Sequence, residues 1–368
     1  MNDKKVRVLH IDSEYGWRGG QQQVVYLLEA MYKNGYSTRL VCQPGSELAA
    51  YCSTQTLPHA TVRMRGEIDI FAGYRIARLC RNLSINVIHT HAAHAHAIGL
   101  WVKLFYRNAK LIVTRRVDFS IRNSFFSLRK YTIPWVDHIL CVSANIRTVL
   151  IADGVAMDKL DTIHSGIDTG KFDNTILPVD YRSSMRIAAD HCVIGTVAAM
   201  ADHKDYPSLL KAAKIVLDKT EDTTFCAVGD GPLMGEVRQL AEELNLGSRF
   251  IFTGYRSDVG HFFKLFDIFV LSSHLEGLGT SILDAQAAGL PVVACRSGGI
   301  PEIVENETSG LLVPKKDPTA LADAILSLVR DESRRRALGS SAKKAVQRFS
   351  IHRTVNKYMK VYDRLLNT

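Results

Sequence analysis

The chain has 368 residues, 46% hydrophobic and 23% charged, a length for two ordinary domains and a composition that excludes disordered, collagenous and coiled-coil chains. Its 46 Lys and Arg against 37 Asp and Glu leave a formal charge of +9, which calls for an anionic partner: nucleic acid, a lipid surface or a phosphorylated ligand. Most of the excess lies in residues 1–180, with 22 basic residues against 15 acidic. The longest apolar runs, 92–104 and 285–295, are broken by His, Lys or Gln and fall short of the roughly 20 residues that a bilayer span needs. The start, Met1-Asn-Asp-Lys-Lys, has no long apolar stretch before the first strand, so export is not expected and the expected location is the cytoplasm. Seven widely spaced cysteines without a CxxC pair read as buried thiols in a reducing compartment.

In chain order, short β-branched runs alternate with amphipathic stretches, the pattern of parallel sheets wrapped by helices. The first series predicts strands at 6–11, 37–42, 87–90, 110–114 and 138–142, with an edge strand at 160–164. The second predicts strands at 192–198, 224–228, 249–253, 268–272, 291–295 and 310–313. Each series reads as a doubly wound, Rossmann-like α/β domain, the first over 1–172 and the second over 185–345, with a cleft expected between them. Asp317-Pro318 marks a helix start, an N-cap followed by Pro at the first helical position. The stripe Val355, Tyr358, Met359, Val361, Tyr362 and Leu365 predicts an amphipathic helix over 351–366.

The densest motif is His274-Leu-Glu276-Gly277-Leu278-Gly279-Thr280, leading through Asp284 to Gly289-Leu-Pro291. A glycine turn between a strand and a helix starting near Thr280 lets backbone N–H groups converge on an anion, where the helix dipole adds to them. That makes Gly277, Leu278, Gly279 and Thr280 a seat for a diphosphate. Glu276, acceptor-only when ionised, suits sugar hydroxyls. Asp284 lies four residues beyond Thr280 on the same helical face and suits a ribose. Gly19 and Gly20, after the first strand, would allow close approach to donor phosphate or acceptor at the carboxyl end of that strand. The loop at Gly254-Tyr-Arg256 is the expected base-side element.

His89, His91, His94 and His96 invite a metal reading, but no His-x-x-x-His on a helix and no Cys partner accompanies them, and no metal is expected. His89 and His91 end a strand facing the cleft, and one of the two suits a donor-sugar contact, whereas His94 and His96 read as helix-start residues. The stretch 101–130 carries eight basic residues, a single acid and six interleaved aromatics. That describes a surface for an anionic leaflet or phosphorylated acceptor. Nucleic acid is not expected, since no recognition helix, zinc spacing or RNA-binding aromatic motif is present.

The ordered set of motifs resembles the retaining glycosyltransferases of family 4 (group 1), which have the GT-B fold of two Rossmann-like domains. The resemblance rests on Glu276, the run Ala287-Ala-Gly-Leu-Pro-Val-Val293, Gly298-Gly-Ile-Pro-Glu302, Gly310-Leu-Leu-Val-Pro314, Val228-Gly-Asp-Gly-Pro-Leu233 and Phe252-Thr-Gly254. In the first half it includes Gly19-Gly20, His89-Thr-His91, Val142-Ser143 and His164-Ser-Gly-Ile-Asp168. Two positions depart: Asp284 stands where the family has Glu, and Ala199 where it has the Arg of a phosphate-clamping pair whose lysine matches Lys204.

The resemblance implies transfer of a sugar, with UDP-hexose as donor, to a glycan or lipid-linked acceptor such as lipopolysaccharide or another envelope glycan precursor, with retained anomeric configuration and no metal or other cofactor. It implies catalytic roles for Glu276, Lys204 and His91, and a final segment, 346–368, that packs back on the first domain. Donor binding would fall to Gly19, Gly20, Gly254, Gly277, Leu278, Gly279, Thr280 and Asp284, and Lys204 would carry the missing arginine's load with help from His203, Arg115 or Arg116. Arg115, Arg116, Arg122, Arg129 and Lys130 are the expected acceptor or membrane surface, on the inner face of the cytoplasmic membrane. The competing reading is a non-catalytic nucleotide-sugar-binding module of the same fold. An oxidoreductase is disfavoured because no G-x-G-x-x-G follows the first strand.

Overall fold

A computed structural model describes residues 5–122 and 124–367. The chain forms two compact units, one of residues up to Asp168 together with those from Phe349 on, the other Thr169–Arg348.

The first unit is built on seven parallel strands: β1 (Arg7–Ile11), β2 (Ser37–Cys42), β3 (His59–Thr61), β4 (Val87–Thr90), β5 (Lys110–Arg115), β6 (His138–Cys141) and β7 (Leu160–Thr162), in the order β3-β2-β1-β4-β5-β6-β7. Its central strands are near-continuous buried runs, as a sheet covered on both faces requires; all four residues of β4 and of β6 are buried. The strand β3, absent from the sequence reading, has three residues, none fully buried, too few and too polar for a periodic signal. Helix Ile351–Asn367 puts Val355, Tyr358, Met359 and Tyr362 into one apolar cluster with Val6, Leu27, Met31 and Val87, so the chain end completes the first unit's core.

The second unit has six parallel strands: β8 (Cys192–Val197), β9 (Thr223–Val228), β10 (Phe250–Gly254), β11 (Ile268–Leu271), β12 (Val292–Cys295) and β13 (Gly310–Val313), in the order β10-β9-β8-β11-β12-β13. The break between units falls after Asp168 rather than at 172, because Lys171 and Phe172 anchor on the second unit: Lys171 on Asp284 and Phe172 against the ring of Phe263. Residues 346–348 likewise group with the second unit rather than with the final helix.

Both sheets reverse their winding once, at β1/β4 and at β8/β11. Side chains and loops at the carboxyl ends of strands flanking such a switch point face a crevice that neighbouring connections leave open. Among the described residues no helix is long and apolar enough to cross a membrane.

Candidate active site

At the second unit's switch point, β11 runs into Ser272–Gly279 and then helix Thr280–Ala287. Gly279 caps that helix in the left-handed region (φ +91°) without a side-chain cap. A Cβ there would meet Ile282 Cδ1 at 3.2 Å, so glycine serves both the turn and the space. The helix therefore starts with backbone donors that no N-cap side chain satisfies. Leu278 is buried and Thr280 partly exposed.

The adjoining loop after β8 holds Lys204 at the end of the short turn Asp202–Lys204, fixed by Asp205 in the left-handed region (φ +50°), which accepts from Ser208 N at 3.3 Å. Lys204 Nζ pairs with Glu276 Oε2 across 72 positions of sequence, and Ser273 Oγ donates to the same oxygen at 3.3 Å. Ser272 Oγ donates to the Lys204 carbonyl at 2.8 Å, His274 N to the His203 carbonyl at 3.0 Å, and Gly299 N to the Glu276 carbonyl at 3.0 Å. Both charged side chains are mostly buried, which limits solvent screening. Ala199 is exposed.

The loop after β9 closes on the same region through glycine. A Cβ on Gly229 (φ +137°) would sit 2.1 Å from the Ala198 carbonyl oxygen, and one on Gly231 2.4 Å from that of Met200. Gly229 N donates to the Gly254 carbonyl at 2.9 Å, and Gly254 is itself left-handed (φ +70°). Asp284, one turn into its helix, accepts from Lys171 Nζ at 2.6 Å. Burial pushes its carboxyl above the usual range, and the Lys171 charge and hydrogen bond oppose that shift. Sequence reasoning did not single out Lys171; no spacing rule links it to a residue 113 positions away.

At the first unit's switch point the parallel register sets His10 beside His89. His10 Nδ1 lies 2.9 Å from His91 Nε2; His89 contacts Tyr362 Oη at 2.7 Å and Thr114 Oγ1 at 2.6 Å. Arg116 Nη2 approaches His91 Nδ1 at 3.4 Å. A guanidinium can only donate, so His91 Nδ1 accepts, its proton sits on Nε2 and donates to His10, and His10 keeps its own proton on Nε2, a buried atom without a partner among the described residues. Burial lowers all three pKa values, His10 to about 3. One nitrogen from each of His10, His89 and His91 lies within 4.8 Å of the others, yet both nitrogens of His89 are engaged and a guanidinium faces His91, so the residues fit a neutral hydrogen-bonded relay better than a cation seat. His96 is a buried core residue edge-on to Tyr131 at 4.7 Å, and His94 is exposed.

Gly19 and Gly20 open helix Gly19–Lys33, whose N-cap Arg18 makes no side-chain cap. A Cβ on Gly20 would lie 3.9 Å from Arg116 Cδ, which places the stem of a cationic side chain beside that uncapped end.

The basic cluster read from 101–130 divides. Arg115 does not face solvent: its guanidinium donates to Tyr131 Oη at 3.0 Å and the Phe119 carbonyl at 2.9 Å, over both rings. Arg116 is turned in toward His91, and Lys130 is paired with Glu67 at 2.8 Å. Of the five expected surface cations only Arg122 and Arg129 are exposed. Beside them in the chain, Phe125 and Phe126 are 74% and 80% exposed, and the Lys130–Glu67 pair ties this segment to one that sequence reasoning missed, where Ile68 and Phe71 are 87% and 76% exposed and Arg75 and Arg78 are exposed too. The missed half lies on helix Ile70–Asn82, where Phe71, Tyr74, Arg75 and Arg78 form the face opposite Ala72, Ile76 and Cys80; that outward stripe was the available signal.

Residues 17–171 match the family described as Glycosyltransferase Family 4, and residues 180–345 that described as Glycosyl transferases group 1. The chain is 26% identical over 305 residues to the N-acetyl-alpha-D-glucosaminyl L-malate synthase of Bacillus anthracis, covering 80% of this chain and 78% of that one. It is 22% identical over 381 residues to the Escherichia coli UDP-Gal:alpha-D-GlcNAc-diphosphoundecaprenol alpha-1,3-galactosyltransferase, covering 99% and 98%. Anabaena HepE, solved with UDP and glucose, is similar with a TM-score of 0.85 at 19% identity, covering 97% of this chain and 99% of that one. Two Rossmann-like units, each built on a parallel sheet, are the fold of the GT-B class. The chain belongs to the family 4, group 1 glycosyltransferases within it.

Proposed function

We propose that the protein transfers a hexose from a UDP-sugar to a glycan or lipid-linked acceptor with retention of anomeric configuration. The observation that carries this is the Lys204–Glu276 pair beside the uncapped turn at Gly279 and Thr280. In this reading the turn amides and Lys204 take the diphosphate, whose charge grows as the glycosidic bond breaks. Glu276, released from Lys204 by that phosphate, accepts hydroxyls of the sugar. Asp284 accepts those of the ribose, and the Gly254 loop meets the base. The departing phosphate takes the acceptor proton, and Lys204 supplies the cation, so the reaction runs without metal. His91 meets the donor sugar once Arg116 turns from its Nδ1. Gly19, Gly20 and Arg116 offer a second anion seat for donor or acceptor phosphate. The test is UDP release from a panel of UDP-hexoses with a lipid-diphosphate acceptor, in EDTA, with product configuration read by proton NMR. Retained configuration in EDTA supports the reading; inversion, or activity abolished by EDTA and restored by a divalent cation, ends it. Exposed Ala199, where the family has a cation, favours the second reading, a binding module, which predicts UDP-sugar binding without product.

The acceptor is proposed to be presented at an anionic leaflet, on the cytoplasmic side, with the protein docked peripherally. Support comes from Ile68, Phe71, Phe125 and Phe126, each more than two-thirds exposed, on two segments that also expose Arg75, Arg78, Arg122 and Arg129 and are joined by the Lys130–Glu67 pair. Such a group is expensive to leave in water and complements acidic headgroups. Binding to vesicles of phosphatidylglycerol and phosphatidylcholine, lost on pure phosphatidylcholine and weakened at least tenfold in Phe125→Ser/Phe126→Ser, is expected. Equal binding to both vesicles, or by the variant, ends this part.

A further inference from the structure

Resting on the donor reading above, we infer that Lys171 is a positioning residue for nucleotide binding: it holds the carboxylate of Asp284 in the orientation that accepts the ribose hydroxyls. Asp284 lies on the helix whose first turn forms the diphosphate seat, and its side chain is one methylene shorter than the glutamate of the resembled family. A shorter acid reaches less far from the helix and depends more on a fixed rotamer. Lys171 Nζ provides that fixture, 2.6 Å from Oδ1, with both side chains only about a fifth exposed (20% and 23%).

Lys171 is itself held. Its ammonium lies 4.8 Å from the centroid of the Phe172 ring, and that ring packs against Phe263 at 5.2 Å. The fixture therefore belongs to the second unit's own core and does not depend on a surface side chain finding its partner. A carboxylate has about four acceptor directions, so one bond to Lys171 leaves Oδ2 and part of Oδ1 for a vicinal diol.

Charge acts in the same direction as geometry. Burial favours the protonated acid at Asp284, and the adjacent ammonium opposes it. A protonated carboxyl would exchange an acceptor site for a donor and would pair poorly with two hydroxyls. Lys171 thus serves orientation and ionisation together, and arginine, also a permanent cation on a long stem, should replace it in part.

The experiment is calorimetric binding of UDP and of 2′,3′-dideoxyuridine diphosphate to the full chain and to Lys171→Met, Lys171→Arg, Asp284→Asn and the Lys171→Met/Asp284→Asn double variant, with melting temperatures measured alongside. Lys171→Met is expected to weaken UDP about tenfold and to leave the dideoxy nucleotide unchanged. Lys171→Arg should return to within about threefold of the parent, and the double variant should bind UDP no more weakly than Asp284→Asn. A merely structural role would lower the melting temperature and affect both nucleotides alike, which overturns the inference. Parent-like UDP affinity in Lys171→Met, with Asp284→Asn weakened, overturns it while sparing the donor reading. Failure of the parent chain to bind UDP overturns both.

Discussion

The two switch points have the same strand order around them and hold opposite chemistry. In the first unit, His10, His89 and His91 are buried, neutral and bonded mainly to one another, Thr114 and Tyr362, with the Arg116 guanidinium as the charge at their edge. In the second, Lys204 and Glu276 are opposite charges at the edge of a glycine turn with open backbone donors. The difference follows from what each crevice packs against. The final helix lays Tyr358 and Tyr362 over the first switch point, and the apolar cover that results disfavours charge. The second is lined by loops whose glycines bring backbone close, so charge there meets dipoles. A topology thus says where a site lies, and the covering elements decide whether it stores neutral relays or reactive charge.

The sharpest way to break this contrast is to discharge the second site. Lys204→Ala is expected to lower kcat by about 10²–10³-fold, the scale of a lost electrostatic contact to the leaving group, and to lower the melting temperature as well, since it leaves the mostly buried Glu276 carboxylate unpaired. A loss under threefold would place the reactive charge elsewhere. Next comes the backbone packing that makes the site polar. Gly229→Ala puts a methyl 2.1 Å from the Ala198 carbonyl oxygen in a positive-φ conformation, and a loss of about 1–3 kcal/mol in urea unfolding is expected. An unchanged midpoint would mean that the two loops are not locked together.

The smallest expected effect sharpens the first unit's side. Burial lowers the pKa of His96 to about 3, with the Lys130 and Arg115 charges adding to it, against about 6.5 when unfolded. The unfolded chain therefore binds the extra proton first, so stability is complete above about pH 6.5 and falls as pH drops toward 3, by up to about 1.4 kcal/mol per pH unit for one such group. His96→Phe, which keeps a ring against Tyr131, should flatten the fall in melting temperature between pH 6.5 and 5. An identical slope in parent and variant would show that this histidine is not held neutral by the fold.

Much of this was legible beforehand, for identifiable reasons. The strands at 37–42, 87–90 and 310–313 were readable to the residue, since buried parallel strands are apolar runs bounded by polar punctuation. The helix start at Thr280 was readable from its glycines. The basic surface was not, because Arg115 and Arg122 look alike in sequence: the first is folded over Tyr131 and Phe119 and the second faces water.

Length, composition and apolar periodicity by themselves determined two wound parallel sheets, and motif spacing determined the turn from Glu276 to Thr280, because both are properties of neighbours along the chain. Only the tertiary structure decided that Lys204 meets Glu276, that Lys171 meets Asp284, and that His10 joins His89 and His91. Those meetings depend on strand order and helix cover, which bring together residues dozens to more than a hundred positions apart and leave no local trace in the sequence.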